Sequence, residues 1–247
     1  SSGNHSFDRM VENNLGIEDS KLDKKDGPFV ELPIMERSKY LGARACSNFL
    51  LASKLKKDLD DFGLKSVYFD IDLKLLPILA NMEKEGILIN HNFFKELENE
   101  FQGKLKGIED QVKKALSEID EASEVNLRSP KQVGFLLFEK LGLPVISKTK
   151  TGYSTSAEVL EELDAKGLSD IPKMIIHFRE IDKALSTYVR AIPELVDSES
   201  NRVHTHFNQH TAATGRLSSV HPNLQNIPIR SDNGKKIRKG FIASPGK

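Results

Sequence analysis

FKELENEFQGKLKGIEDQVKKALSEI, residues 94–119, decides the architecture of this chain. Its apolar residues Phe94, Leu97, Phe101, Leu105, Ile108, Val112, Leu116 and Ile119 follow one another at spacings of 3, 4, 4, 3, 4, 4 and 3. Lys, Glu, Gln and Asp fill the gaps, so the stretch predicts a long helix with one narrow apolar stripe. A second stripe starts at Ile171 and continues through Met174, Phe178, Ile181, Leu185, Tyr188 and Ile192, alternating 3 and 4 as a heptad does. Core packing is the plain reading of both, and two such helices hide their stripes by zipping together as an antiparallel pair. Residues 120–170 then cap the far end, with short helices expected at 130–141 (PKQVGFLLFEKL) and at 156–163 (SAEVLEEL), the latter with Ser156 as N-cap.

Outward from this pair the signals weaken. Residues 7–15 predict a short helix stopped by Gly16, and the charged stretch 18–27 reads as a surface loop. Residues 36–64 predict a helix with Tyr40, Ala43, Phe49, Leu50 and Leu55 turned inward and Gly63 as its stop. LKLLPILANM at 73–82 is a strongly apolar helix containing Pro77; Gly86 ends it and Ile87-Leu88-Ile89 is extended. Past Pro193 the period becomes two. RVHTHFN at 202–208 predicts a strand and AATGRLS at 212–218 its return, with Gly215 suited to a bulge. The expected fold class is α+β and predominantly helical: a long antiparallel helix pair with a small helical tip, followed by the first antiparallel strands of a sheet.

The chain has 247 residues, 38% hydrophobic and 29% charged, which suits ordered structure in one large or two to three small domains. Lys+Arg and Asp+Glu both total 36, but the balance is not uniform. Residues 201–247 carry Arg202, Arg216, Arg230, Lys235, Lys236, Arg238, Lys239 and Lys247 against the single acid Asp232, so the first 200 residues hold a matching acidic excess. A basic segment on an acidic body points to an anionic partner such as nucleic acid or nucleotide phosphate. The one cysteine, Cys46, excludes an intramolecular disulfide and a multi-cysteine metal site and fits a reducing compartment. No apolar run approaches the ~18 residues of a membrane span and no signal peptide is visible, so no membrane partner is expected. Beginning at Ser-Ser-Gly and ending at Pro245-Gly246-Lys247, the chain reads as a fragment.

Residues 211–230, TAATGRLSSVHPNLQNIPIR, pack many hydrogen-bonding side chains onto irregular backbone stiffened by Pro222 and Pro228. Arg216 and Arg230 offer planar forks to phosphate or base-edge acceptors. Amides and guanidiniums also suit the minor-groove acceptors present at every paired step, which test pair geometry without reading sequence. A polar surface loop with capping roles is the alternative.

This stretch resembles the pattern TATGRLSS-x-x-PNLQNIP-x-R, then G-x-x-IR-x-x-F, of the family A (DNA polymerase I-like) DNA polymerases. It runs here from Ala212, standing where the pattern has Thr, to Arg230, with Gly234, Ile237, Arg238 and Phe241 following. Residues 72–90 are similar to the segment leading into that family's thumb, and 126–143, 154–163 and 183–188 to the thumb itself, in order and spacing. Residues 5–60 are similar to the last part of the adjoining 3′–5′ exonuclease domain. The resemblance implies three parts: an exonuclease remnant at 1–66, a lead-in helix and thumb at 67–200, and the start of the palm at 201–247. It makes the helix pair a thumb stalk and the strands the first of a palm sheet. It implies that Arg216 meets the minor groove at the primer terminus, that Asn223, Gln225 and Asn226 hold duplex and template nearby, and that Arg230 lies near the incoming nucleotide's phosphates. Lys183, Ser186 and Thr187 would grip the duplex backbone from the second long helix, and Asn126, Ser129 and Lys131 from the tip; a short polar side chain opening a helix beside a lysine is a sound phosphate site. The implied activity is template-directed DNA synthesis in replication or repair, with Mg²⁺, dNTPs, primer–template DNA and a remaining palm and fingers polypeptide. The implied setting is the bacterial cytoplasm, at the nucleoid.

Departures qualify these roles. His221, with Val220 before it, replaces the pattern's Asp. The exonuclease pattern Tyr-x-x-x-Asp would set a metal ligand four residues after Tyr40, where Arg44 stands. A cation there repels a metal, so proofreading is expected to be absent. Two-metal phosphoryl transfer needs paired carboxylates, which the family carries shortly after a segment like Phe241-Ile242-Ala243, and so just after Lys247; Asp232 reads as part of a Ser-Asp-Asn-Gly turn. This chain alone is therefore expected to hold no metal and to add no nucleotide. A stand-alone DNA-binding module and a helical scaffold are the alternatives from other classes; a scaffold that kept the loop as a relic would be expected to have lost Arg216, Gln225 and Arg230, which are present.

Overall fold

The computed structural model describes residues 6–17, 29–117, 125–150, 152–244 and 246. Ile119, the charged stretch 18–27, the first residues of the 120–170 segment and Lys247 lie outside the described residues. Contacts divide the chain into two units: Ser1–Met82 with Phe207–Ser218, and Glu83–His206 with Ser219–Lys247.

In the first unit, helix α1 (Phe7–Leu15) packs on the long helix α2 (Ile34–Asp61). Gly63, at φ 66°, stops α2 with paired bonds: its amide donates to the Asp60 carbonyl and that of Leu64 to the Leu59 carbonyl. The inward face of α2 differs from the expected one. Ser47 and Leu51 are buried, Tyr40, Ala43 and Leu55 are half-buried, and Phe49 and Leu50 are 75% and 47% exposed. Two residues are about 200° of helix, so Phe49 stands opposite the Ser47–Leu51 face. Helix α3 (Leu73–Glu85), with Pro77 inside, follows a π-helical stretch, Val67–Asp72, and crosses the unit boundary.

The second unit is built on helix α4 (His91–Leu116), opened by Asn90, whose side chain accepts the Phe93 amide. Seven of its eight stripe residues, Phe94 to Leu116, are buried as expected. The short helix α5 (Pro130–Phe135) passes into a π-helical turn, Leu136–Lys140, and helix α6 (Ala157–Ala165) packs on α7 (Ile171–Ala184). Ser156 occupies the N-cap of α6 without a side-chain capping bond. The second stripe continues from α7 through the π-helical segment Leu185–Arg190 into α8 (Ala191–Glu194). Met174 is only half-buried and Ile175 is fully buried, because α7 meets α4 on one side and α6 on another and so buries a band wider than a heptad seam. Arg190 reaches Glu98, and Arg128 spans Glu109 and Asp182, so α4 and α7 run in opposite directions.

Three strands, β1 (Ile87–Ile89), β4 (Arg202–Val203) and β7 (Phe241–Ile242), make an antiparallel sheet in the order β4-β1-β7. Its register sets Ile87 opposite Val203 and Leu88 opposite Ile242. Strands β2 (Lys148–Thr149) and β3 (Gly152–Tyr153) pair separately, as do β5 (His206–Asn208) and β6 (Ser218–Val220). The strand expected over 202–208 is thus broken at Thr205, which is buried with its hydroxyl within bonding distance of the Ser219 hydroxyl (2.8 Å) and the Val220 and Pro222 carbonyls. The returning strand starts only at Ser218, after a turn in which the Gly215 amide donates to the Ala212 carbonyl. Asp232 opens helix α9 (Asp232–Arg238) rather than a turn, because the Ser231 hydroxyl caps the Gly234 amide. One continuous core, from Ile89 through α4, α5, α6 and α7 to Ile227 and Ile237, fills this unit.

Candidate nucleic-acid interface

A groove of about 1210 Å³ runs along the second unit, lined by Ser129 and Lys131 at the start of α5 and by Lys183 and Ser186 where α7 passes into the π-helical segment. Local bonds fix both sides. The Ser129 side chain caps α5 by accepting from Gln132, and its amide donates to the Asn126 carbonyl. The Asn126 side chain in turn accepts the Arg128 amide at 2.9 Å, while the Asn126 amide donates to Gln132 Oε1. Ser186 donates to the Asp182 carbonyl. Lys131 and Lys183 are exposed, and among the described residues their ammonium groups make no hydrogen bond or ion pair. Asn126 and Thr187 are exposed but do not line the groove.

Two further cations line it that sequence reasoning missed. Arg128 holds Asp182 through Nε and Nη2 at 2.9 and 2.8 Å and lies 5.1 Å from the centre of the Phe178 ring. Arg179 donates to the carbonyl and the hydroxyl of the buried Thr155, and its burial pulls the guanidinium pKa down from its ordinary value. These partners lie 54 and 24 residues away in sequence, so no local pattern announces them.

The loop around Pro222 to Arg230 in the same unit is tied inward at its backbone. Ser219, fully buried, accepts the Leu224 amide at 3.0 Å and donates to the Pro222 carbonyl. Asn223 Oδ1 accepts the amides of Gln225 and Asn226. The Tyr188 hydroxyl donates to the Asn226 carbonyl at 2.6 Å, and Arg238 donates to that of Ile227. Gly234 passes against the loop so closely that a Cβ there would stand 2.1 Å from the Pro228 oxygen. The side chains of Gln225, Asn226 and Arg230 are exposed, and among the described residues they make no hydrogen bond or ion pair. Arg216 is likewise exposed, in the 207–218 segment of the first unit. His221 is exposed with φ 53° and precedes Pro222 through a cis peptide bond.

In the first unit Arg44 pairs with Asp8 at 2.8 Å and lies 4.2 Å from the Phe7 ring centre and 5.2 Å from that of Tyr40. The position thus carries a packed, neutralised cation. Asp232 has a 93% exposed side chain and pairs with Lys235 at 3.3 Å. Among the described residues no three His, Cys, Asp or Glu side chains gather as metal ligands, and no helix is long and apolar enough to cross a membrane.

Helices, small antiparallel sheets and a cation-lined groove make up the second unit, and comparison with known proteins gives the class: residues 91–247 match DNA polymerase family A, and the chain belongs to that family. It is 42% identical over 207 residues to DNA polymerase I of Bacillus subtilis (strain 168), covering 84% of this chain and 23% of that protein. It is 44% identical over 222 residues to DNA polymerase I of Synechocystis sp., covering 89% of this chain and 22% of that one. The solved POL domain of Pol1 from M. smegmatis, in complex with DNA primer-template and dNTP, matches with a TM-score of 0.81 at 32% identity over 98% of this chain and 39% of that chain. The chain thus spans less than a quarter of the two curated relatives named.

Proposed function

We propose that the whole protein is a template-directed DNA polymerase and that this chain supplies its hold on primer–template duplex. The observation that carries this is the groove lined by Lys131 and Lys183, both exposed and without a protein partner among the described residues, together with Ser129 and Ser186. Such a set binds sugar-phosphate backbone by charge and hydrogen bonding without reading sequence. In this reading residues 67–200 are the lead-in helix and thumb, with α4 and α7 as stalk, and residues 201–247 begin the palm. Residues 1–66 end an exonuclease-like domain that does not proofread, because Arg44 and Asp8 neutralise each other where a metal would bind. Lys183, Ser186, Thr187, Asn126, Ser129 and Lys131 hold the backbone. Asn223, Gln225 and Asn226 meet the minor-groove edge, Arg216 the primer terminus, and Arg230 the dNTP phosphates.

A two-metal centre would supply the charge stabilisation for nucleotidyl transfer. Among the described residues no carboxylate cluster fits it: Asp232 is the one acid in 201–247, and its exposed side chain stands beside Lys235 with no second carboxylate. The catalytic carboxylates of the whole enzyme are therefore other residues.

Anisotropy titration of labelled primer–template against salt tests the hold. Binding is expected to weaken steeply with salt, and Lys183→Ala and Lys131→Ala are each expected to lower the log–log slope by about 0.9. A slope unchanged by either substitution overturns the groove as the binding surface. Primer extension by this chain alone, with Mg²⁺ and four dNTPs, is expected to fail; extension would overturn the placing of the carboxylates outside it.

A further inference from the structure

Tyr188 connects the two parts of the interface. It follows Ser186 and Thr187 in the π-helical segment Leu185–Arg190, where the chain presents those two side chains to solvent and buries Tyr188 and Val189. π-Helical turns inside longer helices recur at functional sites because they re-aim side chains. Tyr188 is 8% exposed, and its hydroxyl donates to the Asn226 carbonyl at 2.6 Å. That carbonyl belongs to the peptide following the turn that Asn223 closes, and the next carbonyl, of Ile227, is held by Arg238. The Tyr188 bond holds the Asn226–Ile227 peptide and the Arg238 bond holds the next one, Ile227–Pro228. Two inward bonds on successive peptides thus anchor the backbone from which the side-chain amides of Asn226 and, beside it, Gln225 leave the surface.

We propose that the Tyr188 hydroxyl is a positioning group that ties the backbone-gripping segment Lys183–Thr187 to the Gln225–Asn226 amide pair. A shift of the π-helical segment is thereby passed to the side-chain amides through a rotation of the Asn226–Ile227 peptide. Tyr188 itself does not touch DNA. The DNA part of this inference rests on the function proposed above; the bond and its effect on the turn do not.

Tyr188→Phe deletes only the hydroxyl and keeps the ring in the core. The expected result is a three- to tenfold loss of affinity for primer–template with the salt slope unchanged, since no phosphate contact is lost. A double-mutant cycle supplies the readout that a merely structural role would leave unmoved. Gln225→Ala and Asn226→Ala are expected to cost at least threefold less in the Tyr188→Phe background than in the wild type, whereas Lys131→Ala costs the same in both. Wild-type affinity in Tyr188→Phe, or additive losses with Gln225→Ala and Asn226→Ala, overturns the proposal. If the wild-type chain does not bind duplex, the proposed function fails and the ¹³C shift of the Asn226 carbonyl decides the inference on the turn. A shift between wild type and Tyr188→Phe supports it, and an unmoved resonance overturns it.

Discussion

Gly234 has its Cα so near the loop that an added methyl would sit 2.1 Å from the Pro228 oxygen and 2.7 Å from its carbonyl carbon. Backbone cannot swing aside as a long side chain does, so the loop must move or α9 must shift. Gly234→Ala is expected to destabilise the second unit by about 1–3 kcal/mol, the usual cost of overpacking, measured by urea unfolding. An unchanged midpoint would mean that the loop is not seated on α9. Sequence reasoning fixed attention on this glycine through the family pattern but misread its neighbour: Ser-Asp-Asn-Gly has the composition of a turn and also of a helix start. What separates the two is a single bond from the Gly234 amide to the Ser231 hydroxyl, which composition does not encode. Arg128 and Arg179 were illegible for a related reason, since each is defined by an acceptor far along the chain.

At the scale of elements, α4 and α9 are tied by Lys236, which with Lys104 holds Glu100. Hydrogen bonding to Lys104 first, and to Lys236 next, keeps the Glu100 carboxyl below its ordinary value. A depressed carboxylate contributes stability above its unfolded pKa and loses it as the pH falls through the folded one. The side chain is 39% exposed, so solvent screening leaves a contribution of only ~0.5 kcal/mol. Glu100→Gln is therefore expected to lower the Tm slightly at neutral pH, and the gap from the wild type should close as the pH falls below about 4.5. A gap that persists in acid would assign the effect to packing. The helices themselves were legible because their periodic stripes were long, and the α4 stripe was read residue for residue as far as Leu116. The π-helical turns were not legible: one extra residue in a turn leaves the 3 and 4 spacing of Leu185, Tyr188 and Ile192 intact while bringing Val189 into the core beside them. The break at Thr205 was hidden too, because alternation of apolar and polar residues continues across it.

For the whole molecule, burial is unevenly shared. The continuous core lies in the second unit, whereas α2, the longest helix among the described residues, buries only Ser47 and Leu51 over 28 residues. Hydrogen exchange is expected to release the α2 amides well before those of α4, by at least tenfold in rate; equal protection would contradict the reading of α2 as the weaker element. The basic excess of residues 201–247 was plain in the sequence, but nothing there signalled that residues 207–218 belong with residues 1–82, because no periodic stripe marks the segment. In the first unit Gln209 reaches back to donate to the Asp72 carbonyl at 3.2 Å. The chain thus visits that unit twice, and gene surgery has to respect the second visit. A truncation starting at residue 83 would leave residues 207–218 stranded without the surface they fold on, Phe207 among them, and a preparation made that way invites aggregation through the orphaned excursion. Strands β5 and β6, side by side where the excursion departs and returns, mark the place for a short linker that would excise it and let the second unit be produced by itself.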